Sequence, residues 1–146
     1  MAVKYAKPPA TRRRFANAWS ELEYLCKKVH YWLYQRGSKG KTERYASRLE
    51  QVIDTLPNDE RAILRQEGLA LLYELRGNLK RAMEHRQREI DGMERLHREA
   101  ASCTAETREY LLRGRGQAVL QDRRRRMQEL KKQVLQTTVN GAGRSR

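Results

Sequence analysis

The sequence predicts an all-α protein in which about three antiparallel helical hairpins stack into one domain. Apolar residues recur at spacings of three and four over several long segments, which is the periodicity of amphipathic helices. Only 38% of the 146 residues are hydrophobic and 34% are charged, a balance that favours a thin layered structure. Three similar tripeptides, each expected to end a helix, recur at separations of 40 and 37 residues: Gln35-Arg36-Gly37, Leu75-Arg76-Gly77 and Leu112-Arg113-Gly114.

The first hairpin is expected over residues 12–56. Its first helix carries an apolar seam that would face one neighbouring helix over about five turns. A helix of the same chain or a second copy of the protein would produce the same pattern, so a homodimer through Phe15 to Leu33 is an open alternative. Glycines at 37–40 end this helix, and Pro57 ends the next one. The seam consists of Phe15, Trp19, Leu22, Cys26, Val29 and Leu33.

The central hairpin is expected over residues 58–101. Asn58 and Asp59 offer a cap for its first helix, which is almost wholly apolar over Leu69 to Leu75. Most of the circumference of this helix should therefore be covered. Its polar character is confined to a stripe with a spacing of seven residues: Glu60, Glu67 and Glu74.

Gly77 supplies a left-handed residue that ends this helix, and Asn78 can cap the next one. The residues around the turn resemble a tetratricopeptide-type (TPR) helical hairpin. The second helix departs from that family, because Arg86 and Glu89 replace its usual aromatic and small residues. Over residues 18–134 the resemblance implies a short TPR-like α-α superhelix that acts as an adaptor or scaffold. The matching residues are Leu69-Ala70, Tyr73, Gly77-Asn78 and Ala82.

The third hairpin is expected over residues 104–136. Residues 1–11 should form an extended basic arm, and residues 137–146 a flexible basic tail. Four consecutive arginines, Arg123 to Arg126, interrupt the apolar stripe of the last helix. Because four residues wrap around most of a helix, at least one of these arginines should point toward the apolar side.

The protein carries 32 Lys and Arg against 18 Asp and Glu, a formal net charge of +14. This charge predicts attraction to nucleic acid or to acidic proteins. Cys26 and Cys103 form neither a metal-type pair nor a disulfide pattern. The segment Met1 to Lys7 lacks an apolar signal-peptide run, and no stretch reaches membrane-spanning length. We therefore expect a cytoplasmic protein without membrane association.

No pattern of catalytic residues stands out in the sequence. The three histidines have no zinc-type spacing with the cysteines, and the glycines form neither a phosphate-binding loop nor a dinucleotide fingerprint. His97 lies on an apolar stripe, where a packed histidine is more common than a general base. The sequence thus predicts a non-enzymatic protein with no metal and no cofactor.

The leading functional hypothesis is a non-catalytic adaptor that binds an acidic peptide, a terminal carboxylate or a partner protein in a groove lined by the first helix of each hairpin. Cations on those helices would donate to carboxylate oxygens, although each one taken singly fits an ordinary solvated charge equally well. The candidate residues are Lys27, Lys28, Tyr31, Tyr34, Arg65 and Arg108.

The alternative is sequence-independent binding of the RNA or DNA backbone. Dense positive clusters neutralise phosphates and give salt-sensitive affinity, but the same clusters could merely increase solubility. The candidate residues are Arg12, Arg13, Arg14, Arg123, Arg124, Arg125, Arg126, Lys131 and Lys132.

Overall fold

The computed structural model describes residues 15–144, and their side chains up to residue 138. This part of the chain is all-helical and contains no strand, which confirms the expected class. None of its helices is both long enough and apolar enough to cross a membrane. A π-helical turn at Tyr31–Gln35 continues the first helix. In chain order the helices are α1 (Ala18–His30), α2 (Lys39–Asp54), α3 (Ile63–Leu75), α4 (Leu79–Ala101), α5 (Ala105–Leu111) and α6 (Gln117–Arg144).

Helices α1 and α2 form an antiparallel pair. Glu21 near the start of α1 contacts Arg48 near the end of α2, and Trp32 after α1 contacts Lys41 at the start of α2. The seam predicted on α1 is buried within the chain, packed against α2 and α3. The structure therefore accounts for the seam by intrachain packing. Its most buried residues, at most 1% exposed, are Leu22, Cys26 and Val29, and the adjacent Leu25 is 0% exposed.

Helices α3 and α4 form the second hairpin, which packs on the first through contacts of α3 with α1 and α2. Asn78 caps α4 as expected, since its side chain accepts a hydrogen bond from the Arg81 amide. The expected start of α3 is wrong. Its N-cap is Ala62, which makes no side-chain cap, and Asp59 instead accepts from the Arg61 amide at 2.9 Å within a preceding turn.

The recurring Arg-Gly turns share one backbone conformation. Gly37, Gly77 and Gly114 have φ values of 63°, 80° and 72°, and no other described residue has a positive φ. Side chains disfavour this left-handed region because Cβ approaches the neighbouring carbonyl. Each glycine thus ends one helix and allows the next to begin within a few residues.

Gly77→Ala should lower the free energy of unfolding by about 1 kcal/mol. No atom lies within 4 Å of a Cβ built at this position, so the expected cost comes from φ alone. Gly40→Ala is the matched control, because Gly40 lies in the first turn of α2 with open space around it and without a positive φ. Urea titration of both variants tests this prediction, and equal effects would contradict it.

The third hairpin is asymmetric. Thr104 caps α5 as expected, but α5 has only 7 residues, none of them buried, and packs on α4. Helix α6 lies antiparallel along α4, where Leu120 and Met127 pack with Ile90 and Met93.

Helix α6 continues to Arg144, so residues 137–144 are helical where a flexible tail was expected. No proline interrupts this segment, although its threonines, valine, asparagine and glycines are weak helix formers. The expected arm at residues 1–11 lies outside the described residues.

Candidate functional site

A narrow groove lies between α1, α3, α4 and the turn that joins α5 to α6. It encloses about 100 Å³, the size of one side chain rather than a whole ligand. One wall is apolar and includes Ile63, Leu64 and Met93. The exposed lining residues form a rim that carries more positive than negative charge. We call this rim, made of Glu23, Lys27, Arg113 and the half-buried Arg115, the groove rim.

A network of buried ion pairs forms the floor of the groove. Arg123 of α6 donates from Nε to Glu89 of α4 at 3.0 Å and from Nη2 to Glu67 of α3 at 3.1 Å. His30 of α1 places its Nε2 3.3 Å from the same Glu67 oxygen. Four helices therefore meet at one set of charges. This finding confirms that an arginine of the 123–126 cluster points inward.

Arg86 and Glu89 of α4 extend the network into the core. Their side chains are 0% and 1% exposed, and Arg86 Nη1 donates to Glu89 at 2.5 Å. Glu74 lies 4.0 Å from Arg86 Nη2. The two positions that depart from the tetratricopeptide pattern thus carry a buried charge pair. The stripe containing Glu67 and Glu74 faces this network and is not the exposed edge of α3.

Burial and neighbouring charges shift the ionisation of these groups in opposite directions. Burial disfavours the charged form of Glu67, but the hydrogen bond with His30 and the charge of Arg123 outweigh it and lower its pKa to about 2. Burial raises the pKa of Glu89, although Arg86 favours its carboxylate. Burial and the charge of Glu67 also raise the pKa of the Cys26 thiol, so at neutral pH this sulfur is protonated and a poor nucleophile.

The predicted peptide-binding residues are not grouped. Lys27 alone among them lines the groove, where its Nζ lies 3.8 Å from Glu23. Lys28 lies over the Tyr24 ring at 5.5 Å, and Tyr31 is 39% exposed. Neither residue lines the groove, and Tyr31 lies in the π-helical turn that follows α1.

Of the other three predicted residues, two have structural contacts. Tyr34 donates to Glu74 at 2.6 Å, and burial raises the pKa of its hydroxyl. Arg65 is half-buried, and its Nε has no hydrogen-bond partner within the described part of the chain. Arg108 donates to the carbonyls of Ala100 and Cys103 and thereby caps the end of α4.

The arginine cluster on α6 is divided among several helices. Besides Arg123, Arg124 donates to Glu94 at 2.6 Å. The guanidinium of Arg126 lies 3.4 Å from the centroid of the Tyr34 ring. Arg125 is the most exposed of the four, with 69% of its side chain accessible, and it pairs with Asp122. The cluster does not form one continuous surface.

The remaining candidates for phosphate contacts are dispersed. Lys131 and Lys132 are exposed on α6, and Lys132 lies 3.8 Å from Glu129. Arg12, Arg13 and Arg14 lie outside the described residues.

Sequence reasoning missed Arg113 and Arg115 of the groove rim. Both lie next to Gly114, where the tripeptide Leu112-Arg113-Gly114 predicts only the end of a helix. His97, expected to be a packed residue, fixes this turn, because its Nε2 lies 2.6 Å from the Arg115 carbonyl oxygen and Gln117 contacts its Nδ1 at 3.0 Å. Two glycines flanking Arg115 after a helix were the available indication of a cation in a turn.

Among the described residues, no group of three or more His, Cys, Asp and Glu side chains is placed to hold a metal ion. Comparison of the chain with protein-family models, with curated proteins and with solved structures yields no match. Functional inference for this protein therefore depends on the geometry of its own surfaces.

Proposed function

We propose that the protein is a non-catalytic adaptor, built as a short TPR-like superhelix, that binds an acidic segment of a partner protein at the groove rim. The groove is bordered by α1 and α3, the first helices of the first two hairpins, and by the turn that follows α5, the first helix of the third. Grooves lined in this way hold peptides in helical-repeat proteins.

The observation that carries this proposal is the combination of an apolar wall with unpaired cations at one opening. Among the ion pairs formed by the described residues, none involves Arg113 or Arg115. A carboxylate there would accept charge-assisted hydrogen bonds without displacing an existing partner. The adjoining cavity would accommodate one apolar side chain of the same peptide against Ile63 and Met93.

The same geometry favours a peptide over a nucleic acid at this groove. A volume of about 100 Å³ with one apolar wall is too small for a nucleobase and its sugar but fits an aliphatic side chain. Glu23 on the rim would repel a phosphate backbone, whereas a peptide can place a neutral residue beside it.

The test is fluorescence anisotropy with a short labelled peptide of alternating Glu and Leu. Lys27→Glu combined with Arg113→Glu should weaken binding about tenfold or more, because two attractive charges become repulsive. The matched control is Lys131→Glu with Lys132→Glu, which changes the net charge equally on exposed positions of α6. The control should bind almost as well as the wild type.

Two results would count against this function. Unchanged affinity of the rim variant would remove the groove as the binding site. Equal losses in the rim and control variants would mean that net charge, rather than a site, determines binding.

A further inference from the structure

A second charged surface lies where α1 turns into α2. Between Glu23 and Glu43 the chain contains five lysines and arginines and no aspartate or glutamate. Three of these bases, Arg36, Lys39 and Lys41, are exposed around the turn. None of them takes part in the ion pairs formed by the described residues, in contrast to the arginines of α6. No carboxylate of the described residues therefore neutralises their charge.

Two neighbouring aromatic rings lie in the same turn, and one of them contacts Lys41. Tyr31 packs edge-on against Trp32, with ring centroids 5.0 Å apart and an interplanar angle of 83°. Lys41 Nζ lies 4.3 Å from the centroid of the Trp32 ring. With 39% of its surface accessible, Tyr31 is one of the few large apolar residues that the described chain exposes. The rings are thus held by packing while part of their surface remains free.

We propose that this surface, made of Tyr31, Trp32, Arg36, Lys39 and Lys41, binds single-stranded nucleic acid. Cations along a turn neutralise phosphates, and exposed aromatic rings stack with bases that have no pairing partner. A duplex hides the faces of its bases, and an acidic peptide gains nothing specific from the rings. The combination of both features favours a single strand. This proposal concerns a different surface from the peptide groove and does not depend on it.

Helix α6 could extend the path of the bound strand. Arg126 packs on the ring of Tyr34, which lies in the same π-helical turn as Tyr31 and Trp32. Lys131 and Lys132 follow Arg126 by a rise of about 8–9 Å along the helix. These two lysines were predicted to contact phosphates, and the structure places them on the helix that contacts the aromatic turn.

The experiment measures anisotropy of a labelled oligouridine, its duplex with oligoadenosine, and labelled polyglutamate at about 50 and 200 mM salt. Single-strand affinity should exceed that for both other probes and fall steeply with salt. Tyr31→Ala should weaken single-strand binding about tenfold, whereas Tyr31→Phe should retain it, because only the ring is needed for stacking. Circular dichroism checks that both variants are folded.

A second experiment measures the same affinities for the double variant that combines Lys39→Glu and Lys41→Glu. The control double variant combines Arg61→Glu and Arg98→Glu, which makes the same change in net charge at exposed arginines elsewhere. The first pair should lose at least tenfold in affinity and show a weaker salt dependence, and the control should lose little. Wild-type binding by Tyr31→Ala, equal losses in both charge pairs, or duplex binding as tight as single-strand binding would each overturn the proposal.

Discussion

Arg123→Ala should destabilise the fold by about 3–5 kcal/mol, one of the largest effects expected from any single substitution outside the apolar core. Arg123 is 13% exposed and bridges Glu67 and Glu89, which are 13% and 1% exposed. Removing it leaves two buried carboxylates next to each other with less positive charge to offset them. Glu89 keeps its contact with Arg86 and Glu67 keeps its contact with His30, but the excess of buried negative charge still costs several kcal/mol, far more than the net value of the lost ion pairs.

Chemical denaturation of the variant measures this loss, and Arg125→Ala provides the control on the same helix. Arg125 exposes 69% of its side chain and pairs only with Asp122 at the surface, so its removal should cost less than about 1 kcal/mol. A loss for Arg123→Ala no larger than that for Arg125→Ala would show that the network contributes little to stability.

Acidification from pH 5 to pH 2 should remove about 3 kcal/mol of stability through Glu67 alone. The pKa of this carboxyl is lowered from 4.5 to about 2 in the folded state. A lowered folded-state pKa means that the stabilisation is fully present above pH 5, where the carboxylate is ionised in both states. It is lost as protonation of the unfolded chain becomes favourable, and more than half of it should be gone by pH 3.

The measurement compares urea unfolding of the wild type and Glu67→Gln at pH 7, 5 and 3. Burial and the charge of Glu67 raise the pKa of Glu89, so Glu89 opposes the pH dependence of Glu67 in the wild type and opposes it less in Glu67→Gln. The stability difference between the two proteins should narrow on acidification, because only the wild type loses the stabilisation by the Glu67 carboxylate. A difference that stays constant from pH 7 to pH 3 would contradict the assigned ionisation.

The helical class and the turns could be predicted because both depend on local chemistry. Apolar spacing fixes which face of a helix is buried, and Gly77 or Gly114 ends a helix through its own backbone freedom. The start of α3 was placed wrongly because Asp59 bonds to a nearby amide in a turn, and a sequence does not distinguish that bond from a helix cap. The end of α6 was placed wrongly because the weak helix formers of residues 137–143 favour a break that the helix does not make.

The site could be predicted only in part, because its charges meet from distant parts of the chain. Arg123 and Glu67 are 56 residues apart, and each alone fits a solvated surface residue. Arg86 and Glu89 broke the expected packing pattern, which was the one available indication of an unusual core. Lys27 could be named as a candidate because its helix could be predicted. Arg113 and Arg115 could not, because the sequence does not show that the turn between α5 and α6 borders the groove.

The shared contact of His30, Glu67, Glu89 and Arg123 also bears on how the chain unfolds. Stacked hairpins normally interact only with their neighbours, so the ends of such arrays can fray independently. Here the guanidinium of Arg123 in the last helix contacts Glu67 and Glu89 of the middle hairpin, and Glu67 also contacts His30 of the first helix. Loss of the last helix would expose unpaired charge in the middle of the molecule. The molecule is therefore expected to unfold as one cooperative unit rather than hairpin by hairpin.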